Sequence, residues 1–456
     1  MNFHFNALLT TNGWLDDAYI SCDANGLITS IEKSPSAGIT YEKIDGYALP
    51  GFQNSHSHAF QYAMCGMAEL HRGAHQADDF WSWRTAMYNV ALQLNPDAFQ
   101  AVAEQLYAEM LRHGITAVTE FHYVHHDEKG HTYENPAELG IRLMEAAEKV
   151  GIKMTLVPQL YTLGGFNKPA TDLQRRFISK DVDSFDQLWQ ATQQAAQNYT
   201  LTTLGIGAHS LRAVAPDHLA DFIAYCPTDI PFHMHISEQL QEVADCLEAT
   251  GKRPVEWLLE NINVKPNFHL VHATHMTDAE AKGLAETGAK VVLCPSTEGN
   301  LGDGVFNFKT YTGNGGQWCI GTDSQIGINP LEDLRLVDYV QRVHTHNRQT
   351  FGTGDTGFNA IKMAFFSGKS AMGHAANDFF AVGQPLDAAI YSTDNPLLST
   401  ASADLRCNTL VYSSDARHYY GTLVNGQWRV KAGLHLDGKA IAQSFHNQLT
   451  KSGLRH

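Results

Sequence analysis

The chain has 456 residues, enough for two to three domains or for one large barrel with an accessory unit. With 43% hydrophobic and 18% charged residues, 37 Gly and 15 Pro, it reads as a globular protein and not as a collagen-like, disordered or coiled-coil chain. A net charge of −16 argues against general binding to nucleic acid or to an anionic membrane, and 24 histidines against 32 Lys+Arg make imidazole the side chain to follow.

The amino terminus, MNFHFNALLTTNGWLDD, lacks a basic n-region and an unbroken apolar h-region, so no signal peptide is expected. No stretch approaches 18 apolar residues, so no membrane span is expected. Residues 1–50 read as short strands, with the turn DANG between AYISC and LITSIEK and a further strand at YALPG. From residue 51 short apolar runs alternate with amphipathic helical stretches. Eight strands are predicted: ALPGFQNSHSH, ITAVTEFHYV, KMTLVPQLYT, TLGIGAHSL, PFHMHISE, FHLVHATH, KVVLCPST and WCIGTDS. Helices such as PDAFQAVAEQLYAEMLRHG and DAEAKGLAETG lie between them and end at Gly114 and Gly288. From about residue 376 strand signals return in DAAIYS, NTLVYSS and GTLVNGQWRVKAG, with Asn425-Gly426 as a hairpin turn. The expected class is α/β: a (β/α)8 TIM barrel over 51–375, with a small composite β-sandwich domain from 1–50 and 376–456.

Seven cysteines (Cys22, Cys65, Cys226, Cys246, Cys294, Cys319 and Cys407) with no C-x-x-C pair fit reduced thiols in a cytoplasmic protein. The chemistry-bearing residues fall at the carboxyl ends of the predicted strands, where a barrel places its active site. His56 and His58 close the first strand as H-S-H, and residues two apart on a strand point the same way. His235 ends the fifth strand, His272 the sixth and Asp323 the eighth. A lone H-x-H is more often a surface or core pair, but ligand-type residues at four separate strand ends suit one divalent ion with a position open for water. Spacing alone leaves open whether His272 is a further ligand. Glu238, three residues past His235, is placed to shuttle protons, although such a glutamate is commonly just solvated at a helix start. The fourth strand end offers His209 and Arg212 and no lysine to bridge two metals, so one ion is expected, with Arg212 facing the mouth and suited to a substrate carboxylate. DDFWSWRTAMY (78–88) brings Trp81, Trp83, Arg84 and Tyr88 together; core packing is the commoner fate of such a run, and a cover over the barrel mouth the alternative. The Gly-rich GNLGDG (299–304) matches no phosphate-binding pattern.

In this order GFQNSHSHAFQ, HISEQ, LVHATH and IGTDS resemble the deaminase branch of the amidohydrolase superfamily. SHSHAFQYAMCGMAE, DDFWSWRTAMY, GGFNKPATDLQRRFI, AHSLRAV and LCPSTEGNLGDG are similar to those of its members that deiminate N-formimidoyl-L-glutamate. The resemblance implies that His56, His58, His235 and Asp323 bind one Zn2+, with Fe2+ or Mn2+ as alternatives, and that Asp323 also serves as base. It implies Glu238 as the proton shuttle, and His272 as a contact to the water and the tetrahedral centre, not a ligand. Gln61, Tyr123, His209 and Arg212 fall at its substrate contacts. The implied reaction yields N-formyl-L-glutamate and ammonia, a step of histidine degradation, from a small carboxylate-bearing substrate and with no nucleic-acid or membrane partner; a homodimer is expected. Gln325 stands where a histidine is expected, a departure that bears on the substrate. The alternatives are a deaminase of the same branch acting on an aromatic base or nucleoside, stacked on Trp81 and Trp83, and a barrel that has lost catalysis.

Overall fold

Both ends of the chain meet in one sheet. The computed structural model describes residues 1–69 and 80–455, so Asp78 and Asp79 of the aromatic segment lie outside the described residues. Asn2–Thr10 pairs antiparallel with Gly13–Cys22 and parallel with Glu42–Pro50. Glu42–Pro50 in turn pairs antiparallel with Ala388–Ser392, which carries the sheet on through Tyr419–Val424, Gln427–Lys431 and Leu434–His435. The opposite edge is Ile28–Glu32, joined to Gly13–Cys22 through the expected turn. There the Asp23 carboxylate accepts the N–H groups of Asn25 and Leu27, each at 2.9 Å. Asn425 and Gly426 take φ of +50° and +67°, the left-handed pair that a tight hairpin between twisted strands requires. This sheet is the sandwich-like part of the molecule.

Two segments of the tail differ from expectation. NTLVYSS is not a strand: Arg406–Ser413 is a helix, with Cys407, Leu410 and Val411 buried. Its β-branched composition reads as strand, but its apolar residues recur at three and four, the helical period, and that period prevails. Gly438–Ser452 forms a further helix that packs against Pro96–Arg112. It buries only Ile441 and Leu449, too thin a stripe to stand out in the sequence.

The barrel strands are Phe52–Ser57, Ile115–His122, Lys153–Leu160, Ile206–Ser210, Phe232–Ile236, Phe268–His272, Lys290–Leu293 and Gln317–Ile320, parallel and in this spatial order. A short strand, Thr202–Leu204, pairs on the third and is the one addition to the expected eight among the described residues. Most strand positions are buried, as in a parallel sheet covered on both faces. The first and last strands close the ring through a bridge between Ser57 and Asp323. Closure depends on Gly321: a Cβ there would stand 2.6 Å from His56 Cβ and 2.9 Å from its backbone nitrogen. Gly288 caps its helix in the left-handed conformation, as expected. No helix among the described residues is long and apolar enough to cross a membrane, and the seven cysteines are free.

Candidate metal centre and active site

Each histidine expected at a strand end is brought to one point. His56 Nε2 lies 3.1 Å from His58 Nε2 and 3.0 Å from His235 Nε2, and Asp323 Oδ1 stands 3.5 and 3.3 Å from the first two. His58 Nδ1 lies 2.9 Å from the Phe121 carbonyl and His235 Nδ1 lies 3.0 Å from the His209 carbonyl. A carbonyl can only accept, so each Nδ1 carries the hydrogen and, in a neutral ring, Nε2 is a bare lone pair. Burial lowers the His56 imidazole to about 3 and the His235 imidazole well below its ordinary range, which keeps both rings neutral. The His58 and His235 lone pairs both point at His56 Nε2, at 3.1 and 3.0 Å; one hydrogen on that nitrogen satisfies only one of them, whereas a cation among the three rings takes all. The four side chains are buried, and their ligand atoms lie within 4.8 Å of one another. The donor set therefore fits a divalent ion, with carbonyls fixing two of the imidazoles from behind.

Beside this group lies a chain of acids and cations. His272 Nε2 is 3.6 Å from both Glu238 Oε1 and Asp323 Oδ2, and its Nδ1 is 3.3 Å from Glu298 Oε1. Burial alone would lower His272, but Glu238, Glu298 and Asp323 bring it up to about 10. Burial, reinforced by Glu238, pushes Asp303 up to about 9. Ser237, His272, Ala273, Asp323 and Gln325 all take positive φ, so backbone strain gathers around this site.

Arg212 does not face the mouth as an open fork. It is buried, with Nη2 2.8 Å from Glu238 Oε2 and Nη1 2.8 Å from Glu242 Oε2. Its buried Nε has no partner among the described residues. Gln61, Tyr123 and His209 line the same narrow cleft as His58, His235, Glu238 and Asp323, and Gln61 Nε2 donates to the Tyr123 hydroxyl at 3.0 Å.

The aromatic segment forms the helix Phe80–Gln93 and splits by face. Phe80, Trp83, Arg84, Met87 and Tyr88 line the cleft, which favours the covering role over plain core packing, while Trp81 is 36% exposed. Arg84 is the site residue that sequence reasoning passed over: its guanidinium donates to Tyr161 Oη at 3.0 Å and stacks on Tyr88. Glu242 was equally unassigned, and its signal was its position one helical turn beyond Glu238. Gln325 faces away from the cleft. Its Nε2 donates to Ser57 Oγ at 3.0 Å and to the Asp323 carbonyl at 2.6 Å, so it braces the ligand loop from behind. A cavity of about 1170 Å³ lies at the other end of the strands, beside Pro231, Asn267, Lys290 and Gln317; none of His56, His58, His235 and Asp323 lines it.

A parallel barrel with a buried three-histidine, one-aspartate group at its carboxyl end defines a class of metal-dependent hydrolase, and the chain belongs to the Amidohydrolase family, which it matches over residues 47–429. It is 38% identical over 443 residues to formimidoylglutamate deiminase of Pseudomonas aeruginosa, covering 96% of each chain. A solved amidohydrolase from Brucella melitensis superposes with a TM-score of 0.92 at 37% identity, covering 99% of each chain. A 5-methylthioadenosine/S-adenosylhomocysteine deaminase of Haloarcula marismortui is more distant, 25% identical over 82% of this chain and 79% of its own.

Proposed function

We propose that this protein hydrolyses N-formimidoyl-L-glutamate to N-formyl-L-glutamate and ammonia, a step of histidine degradation, with Zn2+ held by His56, His58, His235 and Asp323. The observation that carries the reading is the charge pattern of the cleft, joined to the 38% identity with formimidoylglutamate deiminase. The metal end of the cleft is acidic (Glu238, Asp323), and the lining also carries two guanidiniums, Arg84 and Arg212, the second of them paired with Glu238 and Glu242. The substrate has the complementary form: a formimidoyl group, cationic when protonated, at one end and two carboxylates at the other. A divalent ion at the four-residue group supplies Lewis-acid activation of water near neutral pH; Fe2+ and Mn2+ suit the same donors.

The chain's own residues do the rest. Asp323 accepts a proton from the attacking water, whose oxygen bonds to the formimidoyl carbon. Glu238 carries that proton to the nitrogen opposite and takes up the hydroxyl proton as the carbon–nitrogen bond breaks, so that ammonia leaves and a formyl group remains. His272 Nε2, without a hydrogen-bond partner in a buried setting, is aimed at the space between these two carboxylates and donates to the tetrahedral centre. Arg84, the Arg212 Nε edge, Gln61, Tyr123 and His209 hold the glutamate end, so orientation supplies part of the rate. The free cysteines support a cytoplasmic setting. The test is ammonia release from formimidoylglutamate, formimidoylaspartate, guanine and adenosine. The expected result is a kcat/KM for the first at least about 10-fold above the shorter dicarboxylate. Faster turnover of either purine compound would overturn the assignment.

A further inference from the structure

The segment Pro295–Leu301 lies outside the group formed by His56, His58, His235 and Asp323, yet it reaches the reaction centre. Glu298, on the short helix after the seventh strand, points its Oε1 at His272 Nδ1, 3.3 Å away, and the same oxygen accepts the Cys294 N–H at 2.8 Å. The carboxylate is therefore fixed at both ends of its reach: one hydrogen bond ties it to its own helix start, the other meets the ring. His272 is fully buried, its backbone has φ +69°, and the next residue, Ala273, has φ +48°. The strained backbone sets where the ring begins but not how it turns about its side-chain bonds. Of the described groups, Glu298 is the partner of Nδ1, whereas Nε2 has no hydrogen-bond partner and stands 3.6 Å from both Glu238 and Asp323.

We propose that Glu298 is a positioning residue for the reaction: it holds the hydrogen on His272 Nδ1 and turns Nε2 toward the atoms that react between Glu238 and Asp323. The physical logic is that of a carboxylate behind a histidine. An acceptor-only partner at Nδ1 fixes the ring plane, and a ring free to flip would present its other edge for part of the time. Neither the metal ligands nor the cleft walls need Glu298, whose side chain is 13% exposed and sits on the far side of the ring from the four-residue group. Its removal should therefore spare metal and substrate binding and strike the chemical step. This inference rests on the catalytic reading of His272 given above.

The experiment compares Glu298→Ala and Glu298→Gln in the metal-loaded protein. Gln keeps an oxygen acceptor of the same reach, so it serves as the conservative rescue. In Glu298→Ala, kcat should fall about 10–100-fold, as outer-sphere partners of this kind do, with KM within about twofold and metal content unchanged. Glu298→Gln should recover most of that loss. A readout independent of turnover is the 15N–1H spectrum of imidazole-labelled protein, assigned with His272→Asn: the His272 Nδ1–H resonance should persist in Gln and vanish or move to exchange-broadened positions in Ala. A kcat for Glu298→Ala near wild type, a Gln variant as slow as Ala, or an unchanged His272 resonance in Ala would each overturn the proposal. If the wild-type protein releases no ammonia from formimidoylglutamate, the deimination reading fails, and the resonance still decides the role of Glu298.

Discussion

Glu238 is gripped at one oxygen by Arg212 and faces His272 with the other, so it is both anchored and exposed to the reaction. Glu238→Gln keeps the shape and leaves the four ligand side chains alone. It should retain metal and lose about 100-fold or more in kcat, the scale of a lost general acid–base; near-normal kcat in a steady-state assay would reassign the residue. The two arginines of the cleft should part company under mutation. Arg84 is tied to the chain by Tyr161 and by stacking, and it touches no catalytic group, so Arg84→Met should raise KM at least about 10-fold with kcat little changed. Arg212→Met would also release Glu238 and Glu242, and a fall in kcat should accompany any rise in KM. Equal KM values for Arg84→Met and wild type would remove Arg84 from substrate binding. Arg212 could be picked out from the sequence as a cation at a strand end. Its pairing with Glu242 was hidden because a glutamate one turn into a helix looks like an ordinary solvated position.

The cover helix Phe80–Gln93 owes its placement to a buried arginine that is not in the cleft at all. Arg176 is fully buried and spends its guanidinium on backbone: Nη1 donates to the carbonyls of Ala91 and of Leu94 (2.7 Å), and Nε to the carbonyl of His126 (2.8 Å). The Ala91 carbonyl belongs to the helix's last turn and the Leu94 carbonyl lies just past its end, where the macrodipole welcomes a cation and orphaned oxygens need donors. Arg176→Met should leave them buried and unpaired. The expected cost is about 2–4 kcal/mol in urea unfolding, with faster amide exchange through Phe80–Gln93. Unchanged exchange there would show that the helix is held by packing alone. Among the elements, the eight strands were legible because parallel barrel strands are near-continuous apolar runs, several of which lead into histidine or aspartate. The helices at Arg406–Ser413 and Gly438–Ser452 were not, since each buries few residues and draws its stability from neighbours distant in sequence. The aromatic helix both packs on the core and lines the cleft, and the sequence left these two roles undivided because a mix of Trp, Tyr and Phe carries no sign of which face meets a cavity.

At the scale of the molecule, two buried groups stand out among the described histidines. One gathers at the metal group; the other is buried away from it and kept neutral. Burial holds His122 at about 3 and His125 well below its ordinary range of about 6.5, with each ring packed against the other. The unfolded chain takes up these protons near pH 6.5 and the folded chain does so only far lower, so stability is full above that pH and falls as acid is added. Each imidazole should withdraw on the order of 1–2 kcal/mol between pH 7 and pH 5. The urea midpoint should drop accordingly, and a higher midpoint at pH 5 would contradict the neutral burial of these rings. The composite sheet was legible in outline because turn signals such as Asp23–Gly26 and Asn425-Gly426 are local. The convergence of His56, His235 and Asp323 is not local, and only the barrel topology made it readable. That convergence is best tested by elemental analysis of the purified protein beside His235→Ala. About one equivalent of zinc, iron or manganese is predicted in the wild type, with most of it, and the ammonia-releasing activity, lost in the variant. Full activity without a transition metal, or full metal occupancy in His235→Ala, would contradict the shared centre.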